Sequence, residues 1–199
     1  MSDFRSGYII AYHGCDREVG LRLINGADEL KPSTNKWDWL GEGIYFWEED
    51  PARAIHYSEK NALGKQKNKV RAKTPFVVGA IIEPGNCLNL VEVESVNILT
   101  EAYDGLKQLI ESSGETMPVN TEQNRSLDCA VINYIHQVNE EKGLPSYDSI
   151  RCAFPEGDPA FPGSKITSLV HIQVCLRNPE QIKGYFLPRP INKYNPNIK

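Results

Sequence analysis

The sequence YIIAYHG at residues 8–14 is followed later in the chain by GEGIYFW at residues 41–47. Both segments are rich in aromatic and β-branched residues and are bounded by glycine, which predicts two short buried strands. His13 ends the first apolar run, and Tyr45 interrupts the second. Because such side chains are unusual in short buried strands, we expect the two strand ends to meet around a flat ligand.

The bulk composition favours one globular domain. The chain has 199 residues, a net charge of −4 and 40% apolar residues. This length fits a single domain, which we place at residues 1–187, followed by a polar C-terminal tail at 188–199. The net negative charge provides no overall electrostatic attraction for nucleic acid or for anionic membranes. The basic run at residues 65–73 is predicted to be a solvated loop.

The cysteines and the N-terminus bear on compartment and cofactors. Five scattered cysteines without C-x-x-C spacing argue against a disulfide framework and a zinc site, so we expect no metal. Cys15 is expected to be an inert, small apolar residue. No signal-peptide pattern and no membrane-spanning apolar run is present in the sequence. The expected protein has no membrane partner and is cytoplasmic, or is delivered to a target cell without a classical signal peptide.

The remaining pattern predicts a mixed α+β domain. Asp16 is predicted to cap one helix, and Asp50-Pro51 to open another. Two further helices are predicted near residues 95–112 and 127–142, and further strands at 75–82, 147–154 and 168–176. Helices separate the strands only in part, which suits an α+β domain better than a regular parallel βαβ array.

The last predicted strand carries two polar residues on one face. His171 and Gln173 alternate with aliphatic residues, and the period of two places both on the face opposite those residues. The aliphatic face is predicted to be core. The polar face either meets solvent or lines a cleft, and spacing alone leaves both alternatives open.

The motif His13-Gly14, then G-x-G-I-Y-F at residues 41–46 and A-I-H-Y at 54–57, resembles the ADP-ribosyltransferase superfamily. The likeness is to the catalytic fold of the poly(ADP-ribose) polymerase and diphtheria-toxin type, as a bacterial-type single-domain member. It implies a split mixed β-sheet with flanking helices, and NAD as co-substrate.

The resemblance also implies roles for individual residues. His13 would hold the adenosine ribose of NAD, and Gly14 would present backbone groups to the nicotinamide amide. Tyr45 would stack on the nicotinamide ring, with Tyr57 or His56 as the opposite wall.

The chain departs from the family at the late strand, where the family has a catalytic glutamate. Aligning P-E-Q-I at residues 179–182 with the family pattern places Gln173 at that position. Glutamine keeps the hydrogen-bonding reach of glutamate and loses its charge, which weakens transition-state stabilisation. His171, as a base toward the acceptor, and Glu156, in the preceding loop, are the residues that we consider as compensation.

The implied function is toxin-like mono-ADP-ribosyl transfer from NAD to an unidentified protein, nucleic-acid or small-molecule acceptor. The alternatives are an NAD glycohydrolase and a non-catalytic NAD or ADP-ribose-binding module. An RNA 2′-phosphotransferase uses a related fold, but it needs a basic groove that this acidic sequence does not indicate.

Overall fold

The computed structural model describes residues 7–64, 72–122 and 124–198. Within these ranges the chain forms a mixed α+β structure with a seven-stranded mixed sheet and flanking helices. The strands are β1 Ile9–Asp16, β2 Ile44–Glu48, β3 Pro75–Ile82, β4 Cys87–Asn89, β5 Ser149–Phe154, β6 His171–Leu176 and β7 Ile182–Phe186. The helices are α1 Arg17–Ile24, α2 Pro51–Ala62, α3 Val93–Ser113, α4 Ser126–Glu141 and α5 Ile191–Tyr194, with a 3₁₀ turn at Pro179–Gln181.

The sheet opens between the neighbouring strands β1 and β2. The strand order is β4-β5-β6-β2-β1-β3-β7, with the β4–β5 pair parallel and the other pairs antiparallel. β1 pairs with β3 along its whole length, yet it pairs with β2 only at Ala11↔Glu48 and Tyr12↔Trp47. Beyond these two partners β1 follows β3 and β2 follows β6. The sheet therefore divides into two parts that diverge beyond Tyr12.

Helices cover both faces of this sheet. On one face, the α1 face, Leu23 of α1 packs against Phe76 and Val78 of β3. On the other, the α2 face, Ala54 of α2 packs against Trp47, and α4 packs on β5 and β6. Two-sided cover explains why the central strands are apolar on both faces.

The predicted helix starts at Asp16 and Asp50 are confirmed. An Asp16 carboxylate oxygen accepts a 2.9 Å hydrogen bond from the Glu18 N–H, and Asp50 accepts one of 2.9 Å from the Arg53 N–H. Pro51 occupies the first turn of α2, where its missing N–H costs nothing. α2 therefore begins directly after β2 and is fixed over the sheet.

Three predicted strand boundaries differ from the observed ones. β1 continues to Asp16, so His13 lies inside the strand, because pairing with β3 extends past Gly14. β2 begins at Ile44, since Gly41 and Gly43 have φ values of 75° and 154° that break the extended chain. β6 begins at His171 and not at residue 168.

The C-terminal region contains two features that the sequence prediction missed. Residues 168–176 were expected to form the last strand, whereas β7 follows and pairs with the edge of β3. The predicted polar tail at 188–199 contains a buried residue, Asn195, which is 1% exposed. Its side-chain amide hydrogen-bonds both the N–H (2.8 Å) and the C=O (2.9 Å) of Val77. Because β7 pairs with β3 only from Gly79 onward, Asn195 satisfies backbone groups that would otherwise be buried without partners.

Residues 65–71 lie outside the described ranges, and with them most of the predicted basic loop at 65–73. Of the helices described, none combines the length and the apolar character that crossing a membrane requires. All five cysteines are free thiols.

The first testable prediction concerns His136, which is buried in α4. Burial, with a smaller contribution from the charge of Arg177, lowers the pKa of His136 from 6.5 to about 3. The unfolded chain therefore binds a proton that the folded chain excludes, and the free energy of unfolding falls as the pH drops below about 6.5. Between pH 7 and pH 5 the loss from this residue is about 2 kcal/mol, measurable by urea unfolding.

The matched variant is His136→Phe, which keeps an aromatic ring against Tyr147 and removes the titrating group. We expect its unfolding free energy to depend less on pH over the same interval. An equal pH dependence in the two proteins would contradict the assignment.

Candidate functional site

His13 bridges the opening in the sheet. Its side chain lies on the α1 face, with the ring centroid 5.7 Å from that of Phe46. The Nδ1 atom is 2.8 Å from the backbone oxygen of Tyr45. Because a carbonyl oxygen only accepts, Nδ1 must carry the proton and donate. The imidazole thus connects the two parts of the sheet where β1 and β2 no longer pair.

Tyr45 faces the opposite side of the sheet from His13. Its hydroxyl donates to the Gly41 backbone oxygen (2.5 Å) and accepts from the Leu40 N–H (2.9 Å). Burial, with a smaller effect of Cys175, raises the pKa of Tyr45 far above its ordinary value, so the phenol stays neutral. The hydroxyl therefore fixes the loop before β2. The contact between His13 and Tyr45 joins the imidazole of His13 to the backbone oxygen of Tyr45.

Gly14 lies where α2 crosses β1 at close range. A Cβ added to this residue would lie 2.2 Å from the backbone oxygen of Ala54. Helix and strand can approach this closely only when the strand residue has no side chain. The glycine thus has a packing role, in addition to the ligand contact that the sequence resemblance implies.

His171 and Gln173 are buried on the α2 face, 5% and 9% exposed. Of the two alternatives left open by the sequence, the solvent-facing one is therefore wrong. Gln173 lies opposite Trp47 of β2 and Cys152 of β5. No hydrogen bond joins its side-chain amide to the described residues, so the amide remains available to a ligand.

The hydrogen bonds of His171 define its tautomer. Nδ1 is 2.7 Å from the backbone oxygen of Leu169 and must donate to it. Burial lowers the pKa of His171, whereas the Leu169 hydrogen bond raises it and the Arg53 charge lowers it further. The neutral ring then carries its lone pair on Nε2, which is buried without a partner among the described residues. A neutral, oriented imidazole with a free Nε2 has the form of a general base.

Glu156 is held at the site by an arginine that the sequence interpretation did not single out. Its carboxylate is 2.5 Å from Nη2 of Arg53, on α2. The Arg53 guanidinium carbon lies 5.6 Å from the centre of the Trp47 ring, close enough for a cation–π contact. We call Trp47, Arg53, Glu156 and His171 the Arg53 cluster.

The two remaining predicted residues lie on the same side of α2. The Tyr57 ring centroid is 4.9 Å from that of Trp47. Burial lowers the pKa of the half-buried His56, as do the charges of Lys60 and Arg53. In the sequence, His56 and Tyr57 follow Arg53 by three and four residues, a spacing that places side chains on one face of a helix. This spacing is the signal from which Arg53 could have been found.

The structure therefore separates the predicted residues into two groups. Tyr45, Tyr57, His171 and Gln173 lie on the α2 face, where Glu156 pairs with Arg53 and the charge of Arg53 acts on His56. His13 lies on the α1 face at the opening.

Two further observations concern a thiol and the metal-ligating residue types in the described part of the chain. Burial, followed by the charge of Asp16, raises the pKa of the Cys15 thiol to about 12, so this thiol is protonated near neutral pH. No group of three or more His, Cys, Asp or Glu residues that could hold a metal ion occurs in the described ranges.

The second prediction tests the packing role of Gly14. The substitution Gly14→Ala forces a methyl group against α2 and should lower the free energy of unfolding by about 1–3 kcal/mol, the usual cost of overpacking. Denaturant unfolding measures the change. Gly184→Ala is the control, because a Cβ there meets nothing within 4 Å and the backbone is extended. Equal stability losses in the two variants would contradict the packing role.

Comparison with known proteins gives one relative. No protein-family model and no solved structure matches the chain. The chain is 30% identical over 206 aligned positions to "Uncharacterized protein MJ0359" of Methanocaldococcus jannaschii, and the alignment covers 92% of this chain and 90% of the archaeal protein. This chain therefore belongs to the same family as that uncharacterized archaeal protein.

Proposed function

We propose that this chain is a mono-ADP-ribosyltransferase that uses NAD and releases nicotinamide. The observation that carries the proposal is the arrangement on β6, where His171 and Gln173 are buried beside β2, the strand of Tyr45. Together with the sequence motifs, this arrangement favours an ADP-ribosyltransferase-like form of the split mixed sheet.

A bound dinucleotide would contact both faces of the sheet at its opening, because His13 lies on the α1 face and Tyr45 on the α2 face. The sheet opens beyond Tyr12, and the Nε2 atom of His171 and the indole N–H of Trp47 are buried without partners among the described residues. By the family resemblance, His13 and Gly14 would hold the adenosine ribose and the nicotinamide amide. Tyr45 would stack on the nicotinamide ring, with Tyr57 or His56 opposite. NAD would supply the ADP-ribosyl group by breaking its bond to nicotinamide.

The chain's own residues would then complete the transfer. As the ribose carbon forms a bond to the acceptor oxygen, Nε2 of His171 takes the proton from that oxygen. The Gln173 amide hydrogen-bonds the ribose without adding charge. Since charge stabilisation usually contributes most to the rate in such catalysis, we expect slow transfer of single ADP-ribose units.

A non-catalytic NAD or ADP-ribose-binding module is the second candidate. The neutral side chain of Gln173 favours it, because the site then lacks the carboxylate that would stabilise a positively charged transition state. NAD hydrolysis is a third outcome, in which water takes the place of the acceptor.

The third prediction concerns His171. With NAD labelled in its adenosine part and candidate acceptors, we expect nicotinamide release and labelled product. His171→Gln should lower the rate about 100-fold or more, the usual contribution of a general base, with NAD binding retained. The rate should still be constant at pH 6.5, the ordinary pKa of histidine, and should fall only at lower pH, because burial lowers the pKa of His171 and the neutral form is the base.

His136→Gln is the matched control, because His136 is also buried but lies on α4, outside the Arg53 cluster. Labelled product would support transfer, and nicotinamide release without labelled acceptor would indicate hydrolysis. Binding without nicotinamide release, abolished by His13→Ala, would select the binding module. The absence of any NAD-dependent thermal shift would contradict all three functions.

A further inference from the structure

Arg53 is a buried cation with incomplete hydrogen bonding. The residue is 7% exposed, and only one of its nitrogen atoms, Nη2, contacts Glu156. The Nε and Nη1 atoms are buried and have no partner among the described residues. The indole nitrogen of Trp47, beneath the guanidinium, is likewise without a partner in the described ranges.

These unpartnered groups all donate and are concentrated at a positive charge. Leaving a buried donor unpaired is unfavourable, and it is more unfavourable for a charged group. A ligand that satisfies them must bring several acceptors and a negative charge. Phosphate oxygens meet both conditions, and a planar guanidinium binds them through two parallel N–H bonds.

Glu156 already occupies one edge of this guanidinium. Its own backbone oxygen accepts from the Leu169 N–H at 2.9 Å, and the Leu169 oxygen accepts from His171. The carboxylate is therefore positioned by the backbone at both ends of the loop, while 30% of its side chain stays exposed. It is the one anionic group paired with Arg53 in the described ranges, and it contacts a single nitrogen.

We propose that Arg53 and Trp47 form a binding site for a phosphate group, and that Glu156 is the internal anion that this phosphate displaces. The phosphate can belong to the diphosphate of NAD or to a phosphorylated acceptor. The proposal goes beyond the transferase function, because phosphate binding requires no turnover.

Inorganic pyrophosphate is the probe, and isothermal titration calorimetry of the full chain measures its affinity. Glu156→Gln removes the competing anion, so its affinity should be about five- to tenfold higher than that of the unsubstituted protein. Arg53→Gln should lower the affinity about 10- to 100-fold, the effect of losing charge-assisted hydrogen bonds. Opposite effects of Glu156→Gln and Arg53→Gln on pyrophosphate affinity would show that the phosphate displaces Glu156 from Arg53. A purely structural ion pair would not give these opposite effects.

Two further variants guard against misfolding and nonspecific charge effects. Arg53→Lys keeps the charge but loses the planar fork, and its affinity should lie between those of the unsubstituted protein and Arg53→Gln. Arg22→Gln removes an exposed arginine paired with Asp28 and should leave pyrophosphate binding unchanged. An unchanged pyrophosphate affinity in Arg53→Lys, or a lower affinity in Glu156→Gln, would overturn the proposal. The proposal would also be overturned if neither the unsubstituted protein nor Glu156→Gln bound pyrophosphate.

Competition identifies the source of the phosphate. If pyrophosphate displaces NAD, the site takes the diphosphate of the dinucleotide. If both bind together, the site takes a phosphate on the acceptor. Pyrophosphate binding with the expected signs, in a protein that shows no NAD-dependent thermal shift, would support the phosphate site and reject the transferase.

Discussion

The structure depends on the early end of pairing between β1 and β2. β1 remains on β3 and β2 remains on β6, so the sheet must open beyond Tyr12 and Trp47. Gly43 reinforces this path, because a side chain there would lie 2.5 Å from the sulfur of Cys175. The His13–Tyr45 hydrogen bond then joins two backbones that ladder bonds no longer connect.

The opening also determines where α2 can lie. The helix starts directly after β2 and must cross back over β1, which it does against the bare backbone of Gly14. This close crossing brings the third helical residue, Arg53, over Trp47 and within reach of Glu156. Arg53 is therefore a buried cation on a helix whose other buried residues, Ala54 and Ser58, are small.

The sequence predicted those features that depend on residues close together along the chain. Asp16 and Asp50 cap helices through nearby N–H groups, and the alternation around His171 and Gln173 placed both on one face. The sequence could not show that this face is buried, because its cover comes from helices distant along the chain. Arg53 was missed for the same reason, since its partner Glu156 is separated from it by 103 residues. β7 and Asn195 were missed because both complete the edge of β3 from the far end of the chain.

The charges around the site connect its two unusual features, the glutamine on β6 and the buried arginine on α2. In the structure Arg53 and Glu156 neutralise each other beside a neutral His171 and a neutral Gln173. A phosphate bound at Arg53 would release the Glu156 carboxylate while leaving the guanidinium compensated. That carboxylate would remain near His171, because the Leu169 backbone holds both ends of the loop together. Ligand binding would thereby supply, next to the proposed base, the negative charge that Gln173 lacks, and it would raise the affinity of His171 for the proton that it takes from an acceptor.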